Sequence, residues 1–329
     1  MEVNLHTKLH IATSLDQNYL DGIKSSPYGH LIHFHNLHDA LRESSIASMC
    51  EGLWVTLHPM VDKKLISHFK NLKFVATPTT GLTHIDLDLL EKRNIKLFSL
   101  RNQIDFLKTI SATPEFAWGL MLSVWRKIIL AANNYQDDTQ IRSVFSSYQL
   151  SGKQMGLIGF GRISHFLSKY GDAFGMKMCF YDPYVDPEML PKGIFRCESL
   201  EQLLQISDVI FIVASVIQSD YYRYPIINST NIQLIKNGAI VINVSRGVLM
   251  DENSIAQSIR NETLYGVGVD VLQREELGSS SLEISPLELA RDEGFNVVIT
   301  PHIAGMCEDA LLKCCINIAE QISKDLKNQ

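Results

Sequence analysis

The chain has 329 residues, 46% of them hydrophobic and 20% charged, enough for two domains with substantial cores and typical of a soluble globular protein. Its formal net charge is −6 with no Lys/Arg block, which argues against a nucleic-acid surface. The first residues lack the basic and apolar regions of a secretion signal, and the longest apolar stretch, 209–217, is too short to cross a bilayer.

Apolar runs at 9–13, 31–35, 53–57, 73–77 and 96–99 predict strands of a first parallel sheet, separated by helical stretches such as 63–69 and 87–93. His30, His33, His35 and His38 cluster on the second run, and His33 and His35 share a strand face. Beyond Asp39 they have no Cys or acidic companion at a metal-binding spacing, so a solvated strand edge is expected and no metal. Thr113-Pro114-Glu115 predicts a long helix, with Thr113 as N-cap, Pro114 at the first helical position and Glu115 at the positive end. It continues through Phe116, Leu120, Val124 and Ile128. A last helix is expected at 308–324 and carries the chain back to the first domain, placing a cleft between the two.

Between them, strands at 155–159, 176–181, 209–213, 239–244, 266–270 and 296–300 alternate with amphipathic helices, among them 163–174, 200–206 and 251–260. Alternating strand and helix predicts a doubly wound parallel sheet, an α/β fold. The first of these strands runs into Gly159-Phe160-Gly161-Arg162-Ile163-Ser164 and then a helix, and Asp182 ends the next strand. Gly159 permits the tight turn, and Gly161 lets backbone approach a pyrophosphate at the helix N-terminus. An acidic residue about 20 positions on suits a ribose 2′-hydroxyl and repels a 2′-phosphate, favouring NAD over NADP. Ser164 stands where the motif has its third glycine, so looser packing of helix on strand is expected.

Three later strands end in polar residues. Arg246 follows 241–244, Asp270 ends 266–269 with Glu275 in the loop beyond, and His302 follows 297–300. In an open α/β sheet the carboxyl ends of strands face the ligand, so Arg246, Glu275 and His302 are expected to converge near the nicotinamide. A histidine can give a proton to a carbonyl oxygen near neutral pH, a contacting glutamate holds its tautomer and favours the imidazolium, and an arginine fork can grip a carboxylate.

These segments resemble the D-isomer-specific 2-hydroxyacid dehydrogenases, the family of phosphoglycerate, glycerate and D-lactate dehydrogenases. The match runs from about Lys73 to about Ala319 and includes Thr80-Gly81-Leu82-Thr83-His84-Ile85-Asp86, the glycine motif, Asn243-Val244-Ser245-Arg246-Gly247, Asp270-Val271 and Thr300-Pro301-His302-Ile303-Ala304-Gly305. The resemblance implies a Rossmann-type NAD domain at 112–301 and a smaller flavodoxin-like substrate domain at 1–111 with 302–329. It implies Arg246, Glu275 and His302 as the catalytic set, and Gly159, Phe160, Gly161, Arg162, Ile163, Asp182, Ser245 and Asp270 as cofactor contacts, Asp270 at the nicotinamide amide. Thr80, Gly81, Leu82 and Arg246 would hold the substrate, a small D-2-hydroxy acid or its 2-keto acid, with specificity set by side chains around 54–58 and 78–82. The family usually has proline after the glutamate, whereas Glu276 stands there, which leaves Glu276 as an alternative partner of His302. The 214–225 loop, rich in tyrosine, also departs from the family.

The resemblance implies a homodimer formed through the nucleotide domain. A cytoplasmic location is expected from six cysteines without paired spacing, Cys307 among them as a small buried filler, and no C-terminal regulatory domain is expected. Other readings are an NADH-binding regulator, like the corepressors of the same family, and formate dehydrogenase, whose histidine partner is glutamine. Glu275 speaks for hydroxyacid chemistry.

Overall fold

The computed structural model describes residues 8–134, 139–185, 193–215, 225–277 and 284–328. The chain divides into two compact units, Met1–Ile110 with Met306–Gln329, and Ser111–Gly305. The break after Gly305 leaves His302 in the second unit, although 302–305 was expected in the first. The physical reason is a set of hydrogen bonds from those residues to Asp270, described below.

The first unit holds a five-stranded, all-parallel sheet of β1 (Leu9–Thr13), β2 (Ile32–Asn36), β3 (Gly52–Trp54), β4 (Phe74–Ala76) and β5 (Lys96–Phe98), in the order β2-β1-β3-β4-β5. That is the flavodoxin-like order. Its core gathers Ala12, Leu53 and Val75 from the strands and Val55 just past β3 with Leu37, Ala40 and Ala47 from flanking helices. The helix Glu308–Lys327 returns to this unit. Lys96 Nζ lies 2.8 Å from the Asp325 carboxylate, and Gln321 Nε2 donates to the Ser99 carbonyl at 3.2 Å.

The second unit holds seven parallel strands: β6 (Gln154–Ile158), β7 (Lys177–Tyr181), β8 (Phe195–Arg196), β9 (Val209–Ile212), β10 (Ala239–Asn243), β11 (Leu264–Val269) and β12 (Val297–Ile299). Their order, β12-β11-β10-β9-β6-β7-β8, reverses direction at β6/β9, as in a Rossmann sheet. Because side chains alternate across a strand, Leu157, Phe211 and Ile242 face one layer of helices, while Ile158, Ile210, Ile212 and Val241 face the other. Strands covered on both faces read as unbroken apolar runs. Leu157, Phe211 and Ile242 are fully buried; burial of each such side chain contributes about 1.5–3 kcal/mol.

The helix expected from Thr113 spans Ala112–Trp125, with Ser111 rather than Thr113 at the cap. It does not continue to Ile128: Lys127 adopts φ +53°, and a separate helix, Ile128–Asn133, follows. Among the described residues no helix is long and apolar enough to cross a membrane.

Strand pairing brings a third histidine to the β2 edge. His10 on β1 is in register with His33, and the rings of His10, His33 and His35 lie 4.7–5.2 Å apart, with His10 Nδ1 2.8 Å from His35 Nε2. Burial, then the neighbouring His33 and His10, hold the His35 imidazole below its usual range. The unfolded chain therefore takes up this proton first. The stability contribution is complete above about pH 6.5 and is lost as pH falls through the lower folded value. The expected result is a melting temperature that drops between about pH 7.5 and about pH 5.5, with a shallower drop in His35→Gln. An equal slope in both proteins would refute it. Among the described residues no group of three His, Cys, Asp or Glu side chains is placed to hold a metal ion.

Candidate active site

The nucleotide loop is built at the end of β6. Gly159 has φ +93°, and a Cβ there would lie 2.6 Å from the Ala214 Cα, so no side chain fits. Gly161 caps the helix Arg162–Ala173 without a side-chain acceptor, and that first turn carries no acid. A Cβ on Gly161 would meet no atom within 4 Å among the described residues, so the backbone there faces open space. Ser164 does not loosen the packing. Its buried hydroxyl donates to the Gly159 carbonyl at 2.6 Å, tying helix to turn where a glycine would only allow close approach.

Asp182 follows β7. One carboxylate oxygen accepts the Phe160 N–H at 2.8 Å and the other the Tyr184 N–H at 2.9 Å, so the residue is both a turn former and an anchor of the glycine loop. Each oxygen keeps a lone pair for a ribose hydroxyl. An open helix N-terminus, a Cβ-free cradle and an oriented carboxylate together fit NAD. Arg196 lies beside this carboxylate's residue, its guanidinium 3.2 Å from the Asp182 and Val185 carbonyls. Asp182→Ser is expected to lower the preference for NADH over NADPH about 10- to 100-fold, the worth of a charge-assisted hydrogen bond or two. Dissociation constants for both nucleotides test this, and an unchanged ratio would count against the ribose role.

Strands β10, β11 and β12 end level, with Asn243 opposite Val269 and Val269 opposite Ile299. Their exit loops therefore emerge side by side. After β10, buried Asn243 knots the turn: its Nδ2 donates to the Arg246 carbonyl at 2.9 Å, and its Oδ1 accepts the Ser245 N–H at 3.0 Å. The Ser245 hydroxyl donates to the Ala214 carbonyl. Half-buried Arg246 donates from Nη1 to the Ser245 carbonyl at 2.7 Å. Gly247 presses on the next loop so closely that a Cβ would lie 2.1 Å from the Leu272 carbonyl carbon.

Asp270, 1% exposed, organises the loop after β12. Its Oδ1 accepts from Thr300 Oγ1 at 2.6 Å and Ile303 N–H at 2.9 Å, its Oδ2 from Ala304 N–H at 2.7 Å, and its carbonyl from His302 N–H at 2.9 Å. The family resemblance implies Asp270 at the nicotinamide amide; its carboxylate is engaged by the histidine loop, with one lone pair left on Oδ2 among the described contacts. His302 sits at φ +55°, a conformation that costs a non-glycine residue and persists only when its surroundings impose it. Its Nδ1 lies 2.7 Å from Glu275 Oε2, and Glu275 Oε1 accepts the Leu272 N–H at 3.0 Å. Glu275 thus pairs with His302; the side chain of Glu276 lies outside the described residues.

In the first unit, the loop after β4 is shaped by Thr79, whose hydroxyl donates to the Gly81 carbonyl at 2.9 Å. Among the described residues, the N–H groups of Thr80, Gly81 and Leu82 donate to no protein acceptor, as an anion-binding loop requires. Of the expected specificity positions, Trp54 and Val55 are fully buried, so only Thr56, Leu57 and His58 remain accessible in that stretch. Residues 216–224 of the tyrosine-rich loop lie outside the described residues. Cys307 is half-buried rather than a core filler, its thiol donating to Asp309 at 3.0 Å, and the other five cysteines are buried.

The family model for the NAD-binding domain of D-isomer-specific 2-hydroxyacid dehydrogenases matches residues 118–304, and that for the catalytic domain matches residues 11–104. The chain belongs to this family. It is an NAD-dependent D-2-hydroxyacid dehydrogenase. It is 31% identical over 266 residues to a hydroxypyruvate reductase of Thermotoga maritima, covering 81% of each chain. It is 29% identical over 273 residues to a glyoxylate reductase of Thermococcus litoralis, covering 81% of this chain and 76% of the relative. Its fold matches apo D-lactate dehydrogenase from Escherichia coli with a TM-score of 0.78 over 98% of both chains, at 23% identity.

Proposed function

We propose that the protein reduces a small 2-keto acid to the D-2-hydroxy acid, and catalyses the reverse reaction, with His302 as the proton donor and acceptor. The observation that carries this reading is the 2.7 Å contact between His302 Nδ1 and Glu275 Oε2. It fixes the tautomer and leaves Nε2 for the substrate oxygen. Bound NADH supplies the hydride that reaches the carbonyl carbon. As the C=O π bond opens, His302 Nε2 gives its proton to the oxygen, and Glu275 stabilises the imidazolium beforehand. Arg246 pairs with the substrate carboxylate and polarises the carbonyl. Asp270 holds the backbone of residue 302 at its strained φ.

The test is a panel of glyoxylate, hydroxypyruvate, pyruvate and branched 2-keto acids with NADH, followed at the nicotinamide absorbance band. The names of the relatives put hydroxypyruvate and glyoxylate first. Protein that binds NADH yet turns over no member of the panel would overturn the reading and favour an NADH-gated binding role, which has no need of a proton donor. Exposed Ile128, Ile129, Val144 and Tyr148 support a homodimer through the nucleotide domain, measurable by light scattering. No disulfide forms among the described residues, which suits a reducing, cytoplasmic compartment.

A further inference from the structure

Glu252, the first residue of the helix Glu252–Arg260, is 4% exposed although it carries a carboxylate. A first-turn acid favours the helix dipole from solvent as well as from the interior, so the dipole alone does not explain its burial. Its two oxygens reach two other segments. One accepts the Gln273 N–H at 2.6 Å and the other the Ser285 hydroxyl at 2.5 Å. Gln273 stands two residues before Glu275.

The neighbouring residue is gripped separately. Arg274 forks onto Glu288 at 2.7 and 3.1 Å, and Glu288 accepts the Ser285 N–H at 2.9 Å in the capping box of the helix Pro286–Asp292. Burial works against a charged Glu288, but the Ser285 N–H and the Arg274 guanidinium outweigh it and hold its carboxyl below the usual range. Ser285 is thus shared by two carboxylates, and the consecutive residues 273 and 274 are each held by one of them. Beyond this clamp the turn closes on itself, with the Leu272 N–H on Glu275 Oε1, and only then does Oε2 meet His302.

We infer that Glu252 is a positioning residue: its buried carboxylate, together with the Arg274–Glu288 fork, fixes the 273–275 turn and so the direction in which Glu275 meets His302. The inference rests on the proton-transfer reading of that pair. A plain structural anchor would lower stability when removed and leave the chemistry of folded protein unchanged. A positioning residue changes the pH dependence of turnover as well.

The experiment is a pH–rate profile of keto-acid reduction for Glu275→Gln, Glu252→Ala, Glu252→Gln and Arg274→Ala, with melting temperature and NADH affinity recorded alongside. Reduction needs the imidazolium, so activity falls as pH rises. Glu275→Gln removes the facing carboxylate and moves this alkaline limb to lower pH. Glu252→Ala is expected to move the limb the same way and to lower kcat about 10-fold, as a small misplacement of a catalytic group does, with NADH affinity held within about two-fold. Glu252→Gln, whose carbonyl still accepts from Gln273, restores most of both. A limb that moves in Glu275→Gln but not in folded Glu252→Ala overturns the positioning role and leaves the pair intact. A limb unmoved in Glu275→Gln overturns the pair and the positioning role with it. Should Glu252→Ala fail to fold, the partly exposed Arg274→Ala decides in the same way, an unmoved limb overturning the inference.

Discussion

His302→Asn is expected to lower turnover about 1,000-fold, roughly 4 kcal/mol of transition-state stabilisation, while NADH binds as before. Asparagine is the informative choice because residue 302 sits at φ +55°. Alanine there adds a backbone penalty to the chemical loss, whereas asparagine tolerates the left-handed region. The loop itself is held through main-chain groups: the N–H groups of 302, 303 and 304 all bond to Asp270. Removing the imidazole therefore leaves the loop in place, and the loss reads the proton transfer alone. Single-turnover rates with NADH fluorescence as the binding control measure it. Turnover within about ten-fold of the parent would refute the role of His302 as proton donor.

Gly247→Ala is expected to cost about 3 kcal/mol or more and to lower turnover about 100-fold in whatever protein folds. The added Cβ would lie 2.1 Å from the Leu272 carbonyl carbon, 2.3 Å from its oxygen and 2.4 Å from the Gln273 nitrogen. All three are backbone atoms, so no rotamer change relieves the overlap, and the two loops must separate. One carries Arg246 and the other Glu275, so separation acts on stability and chemistry together. For a unit of this size the melting temperature should fall by roughly 6–12 °C. A variant that melts within about 2 °C of the parent would show that the loops can yield.

The nucleotide half was legible because its physics is local. Strands buried on both faces are continuous apolar runs, and Gly159 and Asp182 mark the turn and the strand end directly. What escaped depends on atoms far apart in sequence. Phe195–Arg196 forms β8 with no apolar run to announce it. The helix from Ala112 stops before Lys127 with neither Gly nor Pro at the break. Ser164 reads as a defect in a glycine motif until its hydroxyl is found on the Gly159 carbonyl. His10 joins His33 and His35 only through the β1–β2 register. The partner of His302 was open between two adjacent glutamates, because residue spacing does not say which side of a turn faces a ring. Asn243 and Thr300 stand inside recognisable segments, but their holds on Arg246 and Asp270 show only in three dimensions, and Glu252, which holds the Glu275 turn, carries no motif at all.

The return of the helix Glu308–Lys327 sets an order of assembly. During synthesis from the N-terminus, every residue of the Ser111–Gly305 unit exists before any residue of that helix does. The other unit must wait: Asp325 meets Lys96 across 229 positions, and Gln321 meets Ser99 across 222. Domains fold as units once their residues are available, and distant contacts form late. The nucleotide-binding unit is therefore expected to complete first, and the five-stranded unit carries an unfinished flank until the helix Glu308–Lys327 is made. A chain truncated after Gly305 and released from the ribosome is expected to hold a folded nucleotide unit, while the five-stranded unit lacks the helix that covers its flank.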